Sequence, residues 1–352
     1  MTNYIKKDIR TLSVKDLKVF FESNNIETYR ANQIYEWLWV KGVSDFNLMT
    51  NLSIEFRKFL QKNFIINNIK VESIQKSIDG TIKNAVKLYD NKIVESVLIP
   101  TKNRITACIS SQVGCSLNCK FCATSKLKRL RNLNVDEIFD QVKFIDNQSK
   151  SFYNRPITNI VYMGMGEPLM NYENVIKSIE KITSKSGLGF SPRRITVSSV
   201  GFPKFIKKMA DQKIKFNLAI SLHSAIQSVR EFLMPFSNKI LIEDLIDSLR
   251  YWINIKKSII TFEYIVFDGI NDSETDIIEL IKICKKIPSK VNLIQYNSIN
   301  DDNFRNASIK SINRYSKLLS ENNIINTIRK SRGDDIDAAC GQLANNTINL
   351  KN

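Results

Sequence analysis

Histidine is almost missing from this chain: among 352 residues there is one, His223. That scarcity weighs against zinc, whose structural sites take four Cys or His ligands. Long apolar runs are missing too. No stretch approaches the roughly 20 residues that cross a bilayer, and the start, Met1-Thr-Asn-Tyr-Ile-Lys-Lys-Asp, has no apolar signal region. A cytoplasmic protein with no membrane partner is expected. Six cysteines in a chain of this length are too few for a disulfide framework, and a reducing compartment suits thiolates that bind metal. Acids are short as well, 35 against 52 Lys and Arg, for a formal charge of +17. A Lys-rich genome would explain many lysines but not so few acids. The excess therefore points to a polyanionic partner, nucleic acid above all. A GxGxxG phosphate cradle, an internal repeat and a low-complexity linker are all absent.

What is present centres on Cys115-Ser-Leu-Asn-Cys119-Lys-Phe-Cys122. A cubane [4Fe–4S] cluster needs four ligands, usually thiolates. Three protein thiolates would leave one iron open to a small molecule, and Phe121 could shield the cluster from water. With one His and no second CxxC pair, zinc is the weaker reading. The spacing resembles the signature of radical S-adenosylmethionine (SAM) enzymes. In those, SAM takes the open iron and is cleaved to a 5′-deoxyadenosyl radical.

The chain around this loop divides by pattern. Residues 1–70 read as a helical accessory domain: Ser13 caps one amphipathic stretch, and others follow through Ala31–Trp39 and Ile54–Leu60. Trp37 and Trp39 are read as core residues rather than stacking platforms for bases. Residues 71–103 read as a small antiparallel sheet extension, with hairpin signals at Asp79-Gly80 and Asp90-Asn91. Glu95 lies there between Val94 and Ser96, and periodicity alone makes it an outward-facing polar residue.

From 104 to 343 strands and helices alternate, predicting an α/β domain with a parallel sheet. Strands are expected at Arg104–Ser110, Thr158–Met163, Arg194–Ser199, Lys215–Ser221, Ile259–Phe267 and Lys290–Tyr296. Six βα units are too few to close an eight-stranded barrel. A partial (β/α)6 TIM-like barrel fits the count, with a flat doubly wound sheet as the alternative. Residues 344–352 read as a loose tail.

Several motifs fall at strand ends, where this architecture places ligands. They are Met163-Gly-Met-Gly-Glu-Pro168, Ser198, Ser221-Leu-His223 and Asn297. His223 on its own could equally be a core residue. Cys284, at an apolar helical position, reads as an inert core thiol. Cys340 differs: it follows three acids in Arg332-Gly-Asp-Asp-Ile-Asp-Ala-Ala-Cys340-Gly-Gln-Leu343, a segment too polar for a core helix.

Taken together, Ser110-Ser-Gln-Val-Gly-Cys115, the cysteine loop, Met-Gly-Met-Gly-Glu, Ser-Leu-His and Asp-Ile-Asp-Ala-Ala-Cys-Gly-Gln-Leu resemble the RlmN/Cfr family of radical SAM adenosine methyltransferases. The resemblance runs from about residue 13 to residue 343. It implies that Cys115, Cys119 and Cys122 ligate the cluster. Gly166, Glu167, Ser198, Ser221, Leu222, His223 and Asn297 would line the SAM site, with Ser198 open to a one-residue slip onto Ser199. Cys340 would carry a methyl group, Cys108 would be its resolving thiol through a disulfide, and Glu95 a proton acceptor. Pro168 and Arg332-Gly-Asp-Asp resemble the branch that methylates adenine carbon 2 in 23S rRNA and, in some members, tRNA; the other branch acts at carbon 8. The expected partners are those RNAs and an electron donor such as flavodoxin, and the expected state is a monomer. Readings from other classes are an RNA-binding protein with a structural iron–sulfur cluster, and a radical SAM enzyme acting on a small molecule.

Overall fold

The computed structural model describes residues 6–299 and 303–344; most of the expected loose tail, from 345 on, lies outside the described residues. Its centre is a ten-stranded sheet whose strands lie side by side in chain order. β1 (Lys70–Lys76), β2 (Ile82–Lys87), β3 (Ile93–Pro100) and β4 (Ile105–Cys108) pair antiparallel. From β4 the sheet turns parallel through β5 (Asn159–Tyr162), β6 (Ile195–Ser199), β7 (Asn217–Ser221), β8 (Ile260–Ile265), β9 (Ser289–Ile294) and β10 (Ile325–Arg329). The antiparallel strands are thus continuous with the catalytic sheet. β10 is a seventh parallel strand where the pattern predicted six. Its sequence, Ile325-Asn-Thr-Ile-Arg329, lies at the sheet edge and is largely exposed, so it carries little apolar signal.

Register explains why the sheet has an inside. Cys108, Val161, Thr196, Thr261, Lys290 and Asn292, Thr327 share one face, linked pair by pair across the ladders. That face is largely polar, and it rings one cavity of about 550 Å³. The opposite face, including Ile160, Val197, Ile220, Phe262 and Leu293, is apolar and fully buried. A flat sheet could not bring one face of seven strands around one cavity, so the barrel reading holds.

Six helices make the crossovers: α4 (Val135–Tyr153), α5 (Tyr172–Thr183), α6 (Pro203–Asp211), α7 (Ile242–Lys256), α8 (Glu274–Lys286) and α9 (Ile309–Glu321). Before the sheet come α1 (Val14–Glu22), α2 (Arg30–Tyr35) and α3 (Ile54–Asn63). Ser13 caps α1 in a capping box with Asp16. These helices dock on α4. Trp39 meets Phe139 edge-on at 5.1 Å, and the buried Arg10 reaches Asp136 and Asp140. Trp39 and Trp37 are core residues; Trp37 Nε1 donates to Asn51 at 2.6 Å.

After β10 the chain turns back and straps the open side of the barrel, tying the last strand to the hairpins. Arg332 bridges to Asp79 at 3.0 Å, and Gly333 N donates to the same carboxylate. Asp335 accepts from Ser77 Oγ at 2.6 Å and Ile78 N at 3.1 Å. Gly333 is at φ +70°, where a Cβ would stand 2.8 Å from Thr81 Cγ2. This strap carries Cys340.

Candidate functional site

The cysteine loop leaves the end of β4 and wraps back on itself. Gly114, at φ +74°, lies against the Lys128 backbone where a Cβ would not fit. Cys115 N donates to Leu127 O at 3.3 Å, and Cys122 N to Cys119 O at 3.2 Å. Phe121 is buried against His223 at 4.8 Å and Phe267 at 5.6 Å. The three thiols open on one cavity of about 170 Å³, with Gly166, Glu167, Ser198, Ser199, Ser221, His223 and Cys340 in its wall. Burial pushes the Cys115 thiol up to about 11 and Cys119 well above its ordinary value, helped in both cases by their neighbours' charges.

Among the described residues no three Cys, His, Asp or Glu converge tightly enough for a single ion. Three thiols spread round one cavity fit a larger body, a cubane whose irons each take one sulfur. Mutually repelling thiols acquire a reason to sit together once a cationic iron core neutralises them. The donor set therefore fits the [4Fe–4S] cluster, with the rest of the cavity left for SAM.

Glu167 is a buried carboxyl in the same wall. Burial raises its pKa to about 7, although Ser199, Leu169 N and Val200 N all donate toward it. Gly166, at φ +93°, presses on Gln112 so closely that any side chain would overlap it. Ser198 shares the inner face with Thr196, and Ser199, on the other face, donates toward Glu167; at this strand end both serines reach the cavity wall. His223 is held at φ +54°. Its Nδ1 accepts from Ile265 N at 3.1 Å, and burial plus the charge of Arg230 lower its pKa to about 3. It is a neutral ring with its Nε2 as donor. Leu222 is not brought to the cavity: its side chain packs in the core and its N–H donates to Glu263 O.

On the strap, Ala123 N donates to Gly341 O at 2.7 Å, so Cys340 rides directly over the cysteine loop. Asn297 Nδ2 donates to Cys340 O at 3.0 Å. Cys340 is exposed and lines both cavities; Cys108 is buried and lines the larger one. Burial, then the Cys340 charge, push the Cys108 thiol up to about 12. All six cysteines are free thiols, and Cys284 sits buried on α8 away from both cavities.

Glu95 corrects the sequence reading. It is fully buried, 3.5 Å from Lys83 Nζ, and accepts from Ala344 N at 2.9 Å. Both faces of β3 are covered, one by α4, where Asn84 of the neighbouring β2, paired with Ser96, bonds Gln148, and the other by the strap. Glu95 lines neither cavity directly; it lies on the Cys108 face, beneath the strap. Sequence reasoning missed Arg329 and Glu263. Arg329 stands in the wall of both cavities, 4.0 Å from the buried Glu263 carboxylate, and the Cys340 charge, followed by those of Glu263 and Cys108, favours its protonated form. Arg329 sits on the unpredicted strand, so no motif pointed to it.

Comparison with known proteins now adds to this geometry. A family model described as the Radical SAM superfamily matches residues 109–281, and one described as the ribosomal RNA large subunit methyltransferase N-terminal domain matches residues 7–66. A probable dual-specificity RNA methyltransferase RlmN of Flavobacterium psychrophilum is 58% identical, over 97% of this chain and 99% of its own. The chain belongs to the RlmN family of radical SAM RNA methyltransferases. An RlmN of Geotalea uraniireducens, named a dual-specificity RNA methyltransferase, is 39% identical over 96% of each chain. The crystal structure of a radical SAM methyltransferase from Sphaerobacter thermophilus superposes with a TM-score of 0.89 at 34% identity, covering 96% of this chain and 99% of that one. Like other RlmN proteins, the chain uses a [4Fe–4S] cluster and SAM and acts on RNA. No helix among the described residues is long and apolar enough to cross a membrane.

Proposed function

We propose that this chain methylates carbon 2 of an adenosine in 23S rRNA and in tRNA, with Cys340 as methyl carrier and Cys108 as releasing thiol. One observation carries the reading: Cys340 lies in the wall shared by the cysteine-loop cavity and the cavity that holds Cys108. A thiol in that position can take a group on one side and be attacked from the other.

The target dictates the need for such a carrier. Adenine carbon 2 and the SAM methyl are both electrophilic, so direct polar transfer between them fails. Cys115, Cys119 and Cys122 would hold the cluster, which would supply the electron for cleaving SAM. Glu167, Ser198, Ser221, His223 and Asn297 are assigned to holding SAM, and Glu167 in its ionised form suits an ammonium. The Cys340 thiolate takes the methyl of one SAM, with S-adenosylhomocysteine as leaving group. The 5′-deoxyadenosyl radical from a second SAM would take a hydrogen atom from the Cys340 S-methyl group; the carbon radical left would add to ring carbon 2, and the ring would give one electron back to the cluster, leaving Cys340 linked to RNA. Glu95, under the strap, takes the ring proton. Cys108 attacks the Cys340 sulfur, the carbon–sulfur bond breaks with its electron pair going to the ring, and the two thiols end as a disulfide.

The helical residues 1–70 are assigned to RNA binding, 71–103 to a sheet extension and 104–343 to catalysis. A flavodoxin-type electron donor, a monomeric state and a cytoplasmic location complete the assignment. Carbon 2 over carbon 8 rests on Pro168 and on the Arg332-Gly-Asp-Asp strap anchor. A structural cluster in an RNA-binding protein would give Cys340 no reason to ride over the loop. Anaerobic peptide mapping tests the carrier role. S-methylcysteine is expected at Cys340 in the intact protein and not in Cys119→Ala; normal RNA methylation by Cys340→Ala would overturn it.

A further inference from the structure

Arg230 has no task in the chemistry described above, yet it is among the largest fully buried side chains, with no exposed surface. It sits on the short helix Gln227–Leu233 that follows the Ser-Leu-His motif. Its Nη2 donates to Val200 O at 2.6 Å, and Val200 N in turn donates to Glu167 Oε2 at 3.0 Å. Its Nε and Nη1 find no partner among the described groups. A buried guanidinium with unused N–H groups and no carboxylate against it is a costly arrangement. Native structures keep such groups where something else completes them.

The surroundings show what completes it. The last carbonyl turn of this helix holds the cysteine loop: Leu233 O accepts from Lys120 N at 3.0 Å. Lys120 lies between Cys119 and Phe121, and its Nζ caps Phe232 at 3.8 Å. Met234, next in the chain, is in the wall of the cluster cavity. Arg230 is therefore one helical turn behind the attachment point of Cys119. The Cys119 charge is the largest influence opposing the burial that lowers the Arg230 pKa to about 10. Glu231, next in the chain, acts in the same direction but less than Cys119, and the neutral His223 adds no charge.

We infer that Arg230 is a positioning residue for the cluster, its free N–H groups turned toward the sulfur at Cys119, where its charge favours the reduced state. The inference rests on the three cysteines holding the [4Fe–4S] cluster. Its physical basis is simple. Reduction adds a negative charge to a cluster already anionic from its thiolates, and a fixed buried cation, with N–H donors to sulfur, stabilises the more negative form. Burial, with the same guanidinium as the lesser cause, keeps the single histidine deprotonated.

The test compares reconstituted wild type with Arg230→Lys, Arg230→Gln and Arg230→Met, without SAM, by redox titration monitored through the electron spin resonance of the reduced cluster. Iron, sulfide and thermal melting are measured on the same samples. Arg230→Met should show about a ten-fold lower ratio of reduced to oxidised cluster at a fixed poise, which is about 59 mV for a one-electron couple. Arg230→Lys should stay within about two-fold of wild type. If the Met variant does not retain iron, Arg230→Gln takes its place, since it keeps donors and loses charge. Equal potentials in wild type and the neutral variants, at equal iron content, would overturn the inference. So would an equal drop in Arg230→Lys, which would make shape rather than charge the cause. A weaker affinity for SAM with an unmoved potential would give the guanidinium to the SAM carboxylate instead. Failure of every sample, wild type included, to bind iron would count against the cluster itself.

Discussion

Replacing Gly333 by Ala should loosen the strap and disarm Cys340 while leaving the barrel intact. Gly333 sits at φ +70°, and an added Cβ would stand 2.8 Å from Thr81 Cγ2 and 2.9 Å from Ala338 Cβ. A left-handed backbone costs a residue with a side chain about 1–2 kcal/mol. Overpacking of this kind costs about 1–3 kcal/mol more. Even about 2 kcal/mol shifts the strap's opening equilibrium roughly 30-fold, since 1.4 kcal/mol is a factor of ten. The strain falls where Arg332, Gly333 and Asp335 grip the hairpins, so its relief is release of the strap rather than unfolding of the sheet. Hydrogen exchange reads this directly. The amides of Ala338 and Ala344, which donate to Gly333 O and Glu95, should exchange about 30-fold faster. Amides of β6 to β8 should not change. Thr81→Ser, which removes the crowded methyl, should recover part of the loss in the double variant. Unchanged strap exchange in Gly333→Ala, or loss spread evenly over the sheet, would refute the reasoning.

Three further outcomes follow from the site. Burial raises the Glu167 pKa from 4.5 to about 7, so the folded SAM-free protein keeps a proton that the unfolded chain gives up between those values. Its stability contribution is present below about pH 4.5 and lost as pH rises to about 7. Glu167→Gln should therefore be about 3 kcal/mol more stable than wild type at pH 8 in urea unfolding, and should lose SAM binding; an unchanged pH slope would count against the buried carboxyl. Cys108→Ala should keep its cluster and its methylated Cys340 yet stall with RNA attached, seen as a ribonuclease-sensitive slow band on a denaturing gel. Multiple turnover without that band would return Cys108 to an inert core thiol. Glu95→Gln should accumulate the same adduct at least ten-fold more slowly resolved than wild type, with Cys340 methylation unaffected; normal resolution would remove its proton role.

Much of this site was legible in the chain because its chemistry uses rare residues at fixed spacing. Cys115, Cys119 and Cys122 need no tertiary information, and Cys340 stood out because acids and glycine are unsuited to a core helix. The barrel followed from alternation of strand and helix. Glu95 was not legible. Strand alternation tells which residues share a face, but not that both faces are covered, and only the strap, folding back some 250 residues later, buries it. Arg329 was hidden for a related reason: β10 is an edge strand with three polar positions in five, so no apolar pattern announced it. Ser198 and Ser199 were not separable in the sequence, and at the end of β6 both reach the cavity wall. Arg230 carried no sequence signal, since a buried arginine reads like a surface one until its N–H groups are counted.

The central claim is that a thiol relay in this barrel places a methyl group on adenine carbon 2. Nucleoside mass spectrometry tests it most directly, on ribosomal and transfer RNA incubated anaerobically with the reconstituted protein, SAM and reductant. The account predicts 2-methyladenosine in wild-type samples and none with Cys340→Ala. Finding 8-methyladenosine as the main product, or SAM consumption that RNA does not change, would contradict it.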